Sequence, residues 1–344
     1  MIYLLFCLLF VIGLVLSFGF FLSAPVYKGP ISDHFDGKKF RNPHGKEAGG
    51  FMDVLKYIVT KKAEPVSFDK TAYVRSDFRS IDIPSGKFRI TFVNHSTFLI
   101  ETEGLNILTD PIWSRRCSPF QFAGPGRLRL PGIPFENLPK IDLILLSHNH
   151  YDHLDKDTVI RLHEKHNPQF IVPLGVSGFL KKLGIERVDE LDWWTTQDYK
   201  EYKITGLPAN HFSGRGLFDR DRTLWCGYLL EIHGRKLYFA GDSGYSNIFK
   251  EIGSRVGGID VSLIPIGAYK PEWFMGPIHV TPKEAMFLHK DVQSKQSIAM
   301  HFGCFPLADD NPESARRLFR ESLISENIKT TEFMLPQEGK DYIL

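Results

Sequence analysis

The chain has 344 residues, 43% of them hydrophobic and 24% charged, with a formal net charge of +2. That length and balance read as globular rather than disordered and allow a substantial core, and with no long basic run electrostatics give no reason to propose nucleic acid as a partner. Cys7, Cys117, Cys226 and Cys304 form no CxxC pair, which excludes a cysteine zinc finger and gives no sign of a disulfide framework.

Residues 2–22 contain no charge and are almost wholly apolar, and about 20 such residues cross a bilayer as a helix. No Lys or Arg precedes the run, and Phe20-Phe21-Leu22 is a poor cleavage context. Residues 1–23 are therefore expected to form an uncleaved, single-pass membrane anchor. Lys28, Lys38, Lys39 and Arg41 follow it, which places the globular part on the cytoplasmic side by the positive-inside tendency, with a periplasmic or lumenal placement as the alternative. Residues 24–86 carry Pro25, Pro30 and Pro43 and read as a linker that wraps the domain. Within them, 51–61 has an approximate helical face of Met52, Leu55, Ile58 and Val59.

Residues 87–344 read as one globular domain. Strands are expected at 88–93, 97–101, 106–109 and within the apolar run 141–146. Between the last two, 113–134 is a long irregular stretch with Arg115, Arg116, Arg127 and Arg129, either a functional loop or a solvated one. Helices follow at 157–166, 176–183, 247–255, 282–290 and 312–323. Further strands are expected at 170–172, 187–191, 202–207, 225–232, 236–240, 261–266 and 297–300.

The run 141–146 ends at Ser147-His148-Asn149-His150-Tyr151-Asp152-His153-Leu154-Asp155, with three histidines and a carboxylate in six positions. Such groups are costly to bury unpaired, and they are the donors that suit zinc. In an extended segment residues two apart point the same way, so His148 and His150 reach one ion while Asp152 and His153 face a second. Asn210-His211, Gly241-Asp242 and Met300-His301 each stand at the exit of an apolar strand. One histidine at such a turn is more often a satisfied polar group; several in chain order point to one centre.

HxHxDH followed by a later His, an Asp in a Gly-Asp-Ser-Gly turn and a last His resembles the metallo-β-lactamase superfamily. One branch matches more closely, that of N-acylphosphatidylethanolamine-hydrolysing phospholipase D. The match rests on the His-rich stretch together with Thr109-Asp110-Pro111-Ile112, Glu190-Leu191-Asp192-Trp193-Trp194 and Phe239-Ala240-Gly241-Asp242. It extends to Ile264-Pro265-Ile266-Gly267-Ala268-Tyr269, Trp273-Phe274-Met275 and the segment from His279-Val280 through Pro282 to Glu284-Ala285. It runs from about residue 88 to 307 and departs from the commoner pattern at Asn94-His95, after His211 and at Cys304.

The resemblance implies an α/β fold, a four-layer αβ/βα sandwich, with two zinc ions at one edge. His148, His150 and His211 would hold one ion, Asp152, His153 and His301 the other, and Asp242 would bridge them. Asp242, Asp152 and His279 are the implied catalytic residues, and Tyr151 and His279 the implied substrate contacts. The implied reaction is attack on phosphorus by a hydroxide shared by the two ions, releasing an N-acylethanolamine and leaving phosphatidic acid. The partners are then a phospholipid substrate and a membrane, with a homodimer open and no nucleic acid. Trp113, Trp193, Trp194, Trp273 and Phe274 would line an acyl channel or serve as ordinary core, and the four arginines would meet anionic head groups or form a solvated face. Two alternatives stand beside this: hydrolysis of a lactone, β-lactam or cyclic phosphodiester on the same fold, and a non-catalytic, membrane-tethered metal-binding protein.

Overall fold

Two seven-stranded sheets face each other across the main core. A computed structural model describes residues 19–66, 77–79 and 81–344, together with Tyr3, Phe10, Gly13 and Ser17. The strands are β1 (Arg89–Asn94), β2 (Thr97–Thr102), β3 (Leu105–Thr109), β4 (Leu143–Leu145), β5 (Gln169–Pro173), β6 (Val188–Leu191), β7 (Thr196–Tyr199), β8 (Tyr202–Leu207), β9 (Gly227–Ile232), β10 (Arg235–Phe239), β11 (Ile259–Pro265), β12 (Ser294–Met300), β13 (Phe333–Met334) and β14 (Asp341–Ile343). The first sheet has the order β14-β1-β2-β3-β4-β5-β6 and the second β13-β12-β11-β10-β9-β8-β7. Each changes from antiparallel to parallel pairing part way across, at β3 in the first and at β10 in the second.

Side-chain alternation builds the layers. In β1 to β5, Ile90, Phe92, Phe98, Ile100, Ile107, Leu143, Leu145 and Ile171 point to the interior shared with the second sheet. Their neighbours Val93, Leu99, Leu108, Ile144, Phe170 and Val172 point the other way. There they meet Val159 and Leu162 of α2 (Lys156–His166) and Leu180 of α3 (Ser177–Lys182). A strand covered on both faces reads as a continuous apolar run, which is why these were legible as strands. The second sheet packs against α4 (Ile248–Val256), α6 (Pro282–Asp291) and α7 (Pro312–Ser325), through Phe249, Met286 and Phe319 among others. Full burial of each large apolar side chain is worth roughly 1.5–3 kcal/mol. The remaining helices are α1 (Phe51–Thr60) and the single turn α5 (Glu272–Met275).

Strands β7, β13 and β14 and helix α5 are additions to the expected elements. Strand β14 exists because Tyr342 pairs with Ile90, and Arg89 of β1, buried, binds both Asp341 at 2.9 Å and Glu101 at 3.2 Å. No local signal announces a partner so distant in the chain. Strand β7 is a polar edge strand whose residues are at most half-buried.

Described parts of the 24–86 segment make contacts with the domain. Ala24 N–H donates to Asp219 at 2.7 Å, and Asn42 donates to the His211 carbonyl at 2.8 Å. His34 lies between Asp33 and Asp192 at 2.6 and 2.7 Å. Most of the anchor expected at 1–23 lies outside the described residues. Among the described residues no helix is long and apolar enough to cross a membrane.

Candidate metal centre

Every expected donor sits where a strand stops. Leu145 ends β4, and the following turn carries His148, His150, Asp152 and His153. His211 follows β8, Asp242 follows β10 and His301 follows β12. Sharp turns redirect the chain at these points: His301 has φ 56° and Gly241 φ 63°. A Cβ on Gly241 would lie 2.9 Å from the Cys226 carbonyl oxygen and from Ser147 Cβ, so only glycine brings Asp242 in from that side. Gly267 allows the same close approach, since a Cβ there would lie 2.0 Å from the His301 carbonyl oxygen.

The side chains converge in two sets. His148 Nε2 is 2.9 Å from His150 Nδ1, which is 3.3 Å from His211 Nε2. On the other side, Asp152 Oδ2 is 3.2 Å from His153 Nε2 and 3.3 Å from His301 Nε2. Asp242 Oδ2 stands between, 3.1 Å from His153 Nε2, 2.9 Å from His301 Nε2 and 3.9 Å from His211 Nε2. All seven expected ligands are thus gathered in one place, and donor atoms within each set lie within 4.8 Å of one another. His279 joins them, with Nδ1 3.9 Å from Asp242 Oδ2.

Electrostatics fit a cation. Burial holds His148 well below the ordinary imidazole range, His150 down to about 3 and His211 down to about 4. They are neutral at neutral pH and keep a lone pair for a metal. Burial pushes Asp152 and Asp242 upward, but His153 and His301 outweigh it and both stay ionised. Asp242 Oδ1 and His279 Nδ1 are buried without a hydrogen-bond partner, an arrangement native proteins rarely leave uncompensated. A divalent ion held by Asp242 would satisfy its carboxylate, and His279 Nδ1 is left to a group that enters beside it.

Partners behind the donors set their orientation. Asp110 Oδ2 accepts from His153 Nδ1 at 2.6 Å and from Ser147 Oγ at 2.6 Å, and Ser147 Oγ lies 2.9 Å from His148 Nδ1. His211 Nδ1 donates to the Ile278 carbonyl at 2.9 Å. Each contact turns Nε2 inward, as outer hydrogen bonds do for metal-binding histidines. Sequence reasoning quoted Asp110 only as part of a motif and gave it no role. His95 entered the sequence pattern only as part of the departure at Asn94-His95, with no role; its Nε2 is 2.9 Å from Asp152 Oδ2 and its ring lies 4.1 Å from that of His301. The available signal was a histidine in the tight turn between two strands, at φ 47°.

Tyr151 stands apart from the donors. Its hydroxyl donates to the Arg215 carbonyl at 2.8 Å, and the Arg215 guanidinium lies 4.1 Å from its ring centre. Both line a cleft of about 730 Å³ with Phe20, Phe21, Phe179 and Lys182. The five aromatics read as one acyl channel have separate settings instead. Trp193 donates to the Trp225 carbonyl at 2.7 Å, Trp194 lies against Arg255 and Trp113 packs edge-on to Phe135. Trp273 and Phe274 contact each other and α1. Of the four arginines, only Arg115 is exposed. Arg127 and Arg116 donate to carbonyls of their own loop and Arg129 pairs with Glu338 at 2.8 Å, so they brace the 113–134 stretch.

Fold and site together define a metal-dependent hydrolase. The β-lactamase superfamily domain matches residues 105–302, more than half of the chain. The N-acyl-phosphatidylethanolamine-hydrolyzing phospholipase D 1 of Caenorhabditis elegans is 36% identical over 342 residues, covering 92% of this chain and 94% of that protein. The mitochondrial N-acyl-phosphatidylethanolamine-hydrolyzing phospholipase D of Saccharomyces cerevisiae is 37% identical over 227 residues, 64% of this chain and 48% of that protein. Igni18, a metallo hydrolase from Ignicoccus hospitalis, shares the fold with a TM-score of 0.57 at 19% identity, over 75% of this chain and 98% of that one. The chain belongs to the β-lactamase superfamily and, within it, to the family of N-acylphosphatidylethanolamine-hydrolysing phospholipases D.

Proposed function

We propose that the enzyme hydrolyses N-acylphosphatidylethanolamine to an N-acylethanolamine and phosphatidic acid, at a centre that holds two zinc ions. The observation that carries this reading is the position of Asp242 between two complete donor sets. His148, His150 and His211 would hold one ion, Asp152, His153 and His301 the other, and Asp242 both. Neutral imidazoles with carboxylates are the donor chemistry of zinc. When bound, a pair of divalent ions supplies a water activated near neutral pH and neutralises phosphodiester charge.

The chain's own residues do the rest. Asp110, Ser147 and the Ile278 carbonyl hold the imidazoles in register. His279, neutral because burial holds it well below the ordinary imidazole range, offers Nδ1 to a phosphate oxygen beside Asp242. Tyr151 and Arg215 line the cleft, where phenyl rings stand beside both cationic and acidic heads (Lys156 and Lys182, Asp155 and Asp157), a mixture that suits an amphipathic ligand. Residues 1–23 would tether the chain to the bilayer that contains the substrate, residues 24–86 would link and wrap, and residues 87–344 would carry the chemistry on the cytoplasmic side.

The test is turnover of N-acylphosphatidylethanolamine in ¹⁸O-labelled water, with metal analysis of the same preparation. The expected result is two zinc equivalents and label in phosphatidic acid, because attack on phosphorus delivers the water oxygen there. Label in the N-acylethanolamine would overturn the phosphorus mechanism. Hydrolysis of a lactone with no turnover of the phospholipid would overturn the substrate.

A further inference from the structure

Helix α1 is amphipathic the wrong way round for a soluble protein. Phe51, Met52, Leu55, Ile58 and Val59 fall on one arc of the helix, and all five are between 45% and 79% exposed. No residue of the helix is buried. The opposite side faces the protein: Tyr57 stacks on Phe274 with ring centres 4.8 Å apart, and its hydroxyl donates to Asp309 at 3.0 Å. An ordinary surface helix turns its apolar stripe to the core and its polar face to water. Here Val54 and Tyr57 are the half-buried residues and Asp53, Lys56 and Thr60 stay exposed; the apolar stripe is left outside, the sort of contiguous patch that marks an interaction surface.

The helix is also tied to the metal centre. Ahead of it, Asn42 donates to the His211 carbonyl at 2.8 Å, Asn210 to the Lys46 carbonyl at 3.1 Å and Arg220 to the Gly49 carbonyl at 2.8 Å. Behind it, Lys62 N–H donates to Asp309 at 2.9 Å and Glu64 N–H to the Asp309 carbonyl at 2.8 Å, on the stretch that follows His301. The segment ahead of the helix is therefore fastened at the turn that carries His211, and the segment behind it at Asp309, eight residues after His301. Lys56, Lys61 and Lys62 are exposed at the stripe's edge and C-terminal end, against one exposed carboxylate of the helix, Asp53. Lys56 Nζ lies 4.3 Å from the ring centre of Trp273, itself 44% exposed.

We propose that α1 lies in the membrane interface as a second membrane contact, separate from the apolar run at the start of the chain, and that the occupant of its outer face is a bilayer containing anionic phospholipid. An exposed apolar arc with lysines beside it matches acyl chains below and phosphate head groups at the edge. Long lysine stems reach outward to the head groups while the arc sinks in. Because α1 is fastened beside His211 and Asp309, docking it sets the mouth of the metal centre against the lipid. That consequence rests on the phospholipid reading of the site; binding of the helix does not.

The experiment uses the full chain, alone and with vesicles of phosphatidylcholine and phosphatidylserine, read by hydrogen exchange and by partition into the vesicle fraction. Amides of residues 51–60 are expected to exchange more slowly on the vesicles. The double variant Leu55→Glu, Ile58→Glu is expected to lose that protection and to bind about tenfold or more weakly, with hydrolysis of a soluble short-chain phosphodiester unchanged and turnover of vesicle-embedded substrate reduced. Equal exchange with and without vesicles would overturn the proposal. So would protection in solution that grows with protein concentration, since the occupant would then be a second copy of the chain. A chain that shows the vesicle protection yet hydrolyses no phosphodiester would leave the helix assignment standing and remove the substrate reading instead.

Discussion

The metal centre and helix α1 break the rule of apolar inside and polar outside in opposite directions. The centre buries four histidines and two carboxylates, and His279 with them, with His150 half-buried beside them, at a depth where unpaired polar groups cost several kcal/mol. Helix α1 holds out to solvent five large side chains that elsewhere in this molecule fill the core. The comparison teaches that an inverted pattern names its missing partner. Converging lone pairs call for a cation, and an exposed apolar arc with lysines beside it calls for lipid. The two inversions are linked through Asn42, which donates to the His211 carbonyl ahead of the helix.

The sharpest way to break the first half is Asp242→Ala. Loss of the one carboxylate that faces both donor sets should cut turnover by about a thousandfold or more, and metal content should fall while circular dichroism stays that of the folded protein. A folded variant with normal turnover would remove Asp242 from the mechanism. One step outward, Asp110→Asn keeps the shape but loses the carboxylate that orients His153 and, through Ser147, His148. Metal affinity should weaken by about 10- to 100-fold in a chelator competition. An unchanged affinity would reduce Asp110 to a packing residue.

The second half is tested more gently. Tyr57→Phe keeps the stacking on Phe274 but removes the hydrogen bond to Asp309. Amides of residues 51–60 should exchange faster, by the equivalent of about 1–2 kcal/mol, with turnover of a soluble phosphodiester unaltered. No change in exchange would mean that stacking alone seats the helix.

The smallest expected effect is a pH dependence in the wrapping segment. Burial lowers the pKa of His34, but Asp192 and Asp33 outweigh it, and the net shift is upward from the usual value of 6.5. A raised folded-state pKa means that the contribution to stability is fully present below that usual value. It is lost as pH rises through the raised one. Amide exchange in residues 32–40 should therefore quicken from neutral to alkaline pH beyond the intrinsic base-catalysed rise. His34→Gln should remove the excess; if the excess persists in that variant, another group is responsible.

Much of the centre was legible because its chemistry is local. Four donors lie within six residues, and His211, Asp242 and His301 each follow an apolar run that could only be a strand. What stayed hidden depends on contacts between distant segments. His95 and Asp110 look like single polar residues at turns until folding brings one to Asp152 and the other to His153. Of the two readings of the five aromatics, acyl channel or ordinary core, their separate settings favour core for Trp113 and Trp193.

Helix α1 divides the two kinds of knowledge most plainly. Its amino acids alone determined that Met52, Leu55, Ile58 and Val59 share one side, because a period of 3.6 residues leaves no other arrangement. Periodicity says nothing about which side the rest of the molecule occupies. Only the tertiary structure decided that, through Tyr57, Phe274 and Asp309, and it turned the apolar side outward. The reason is general to this protein: local sequence sets which residues share a face or a turn, while what that face meets is set by segments far away in the chain.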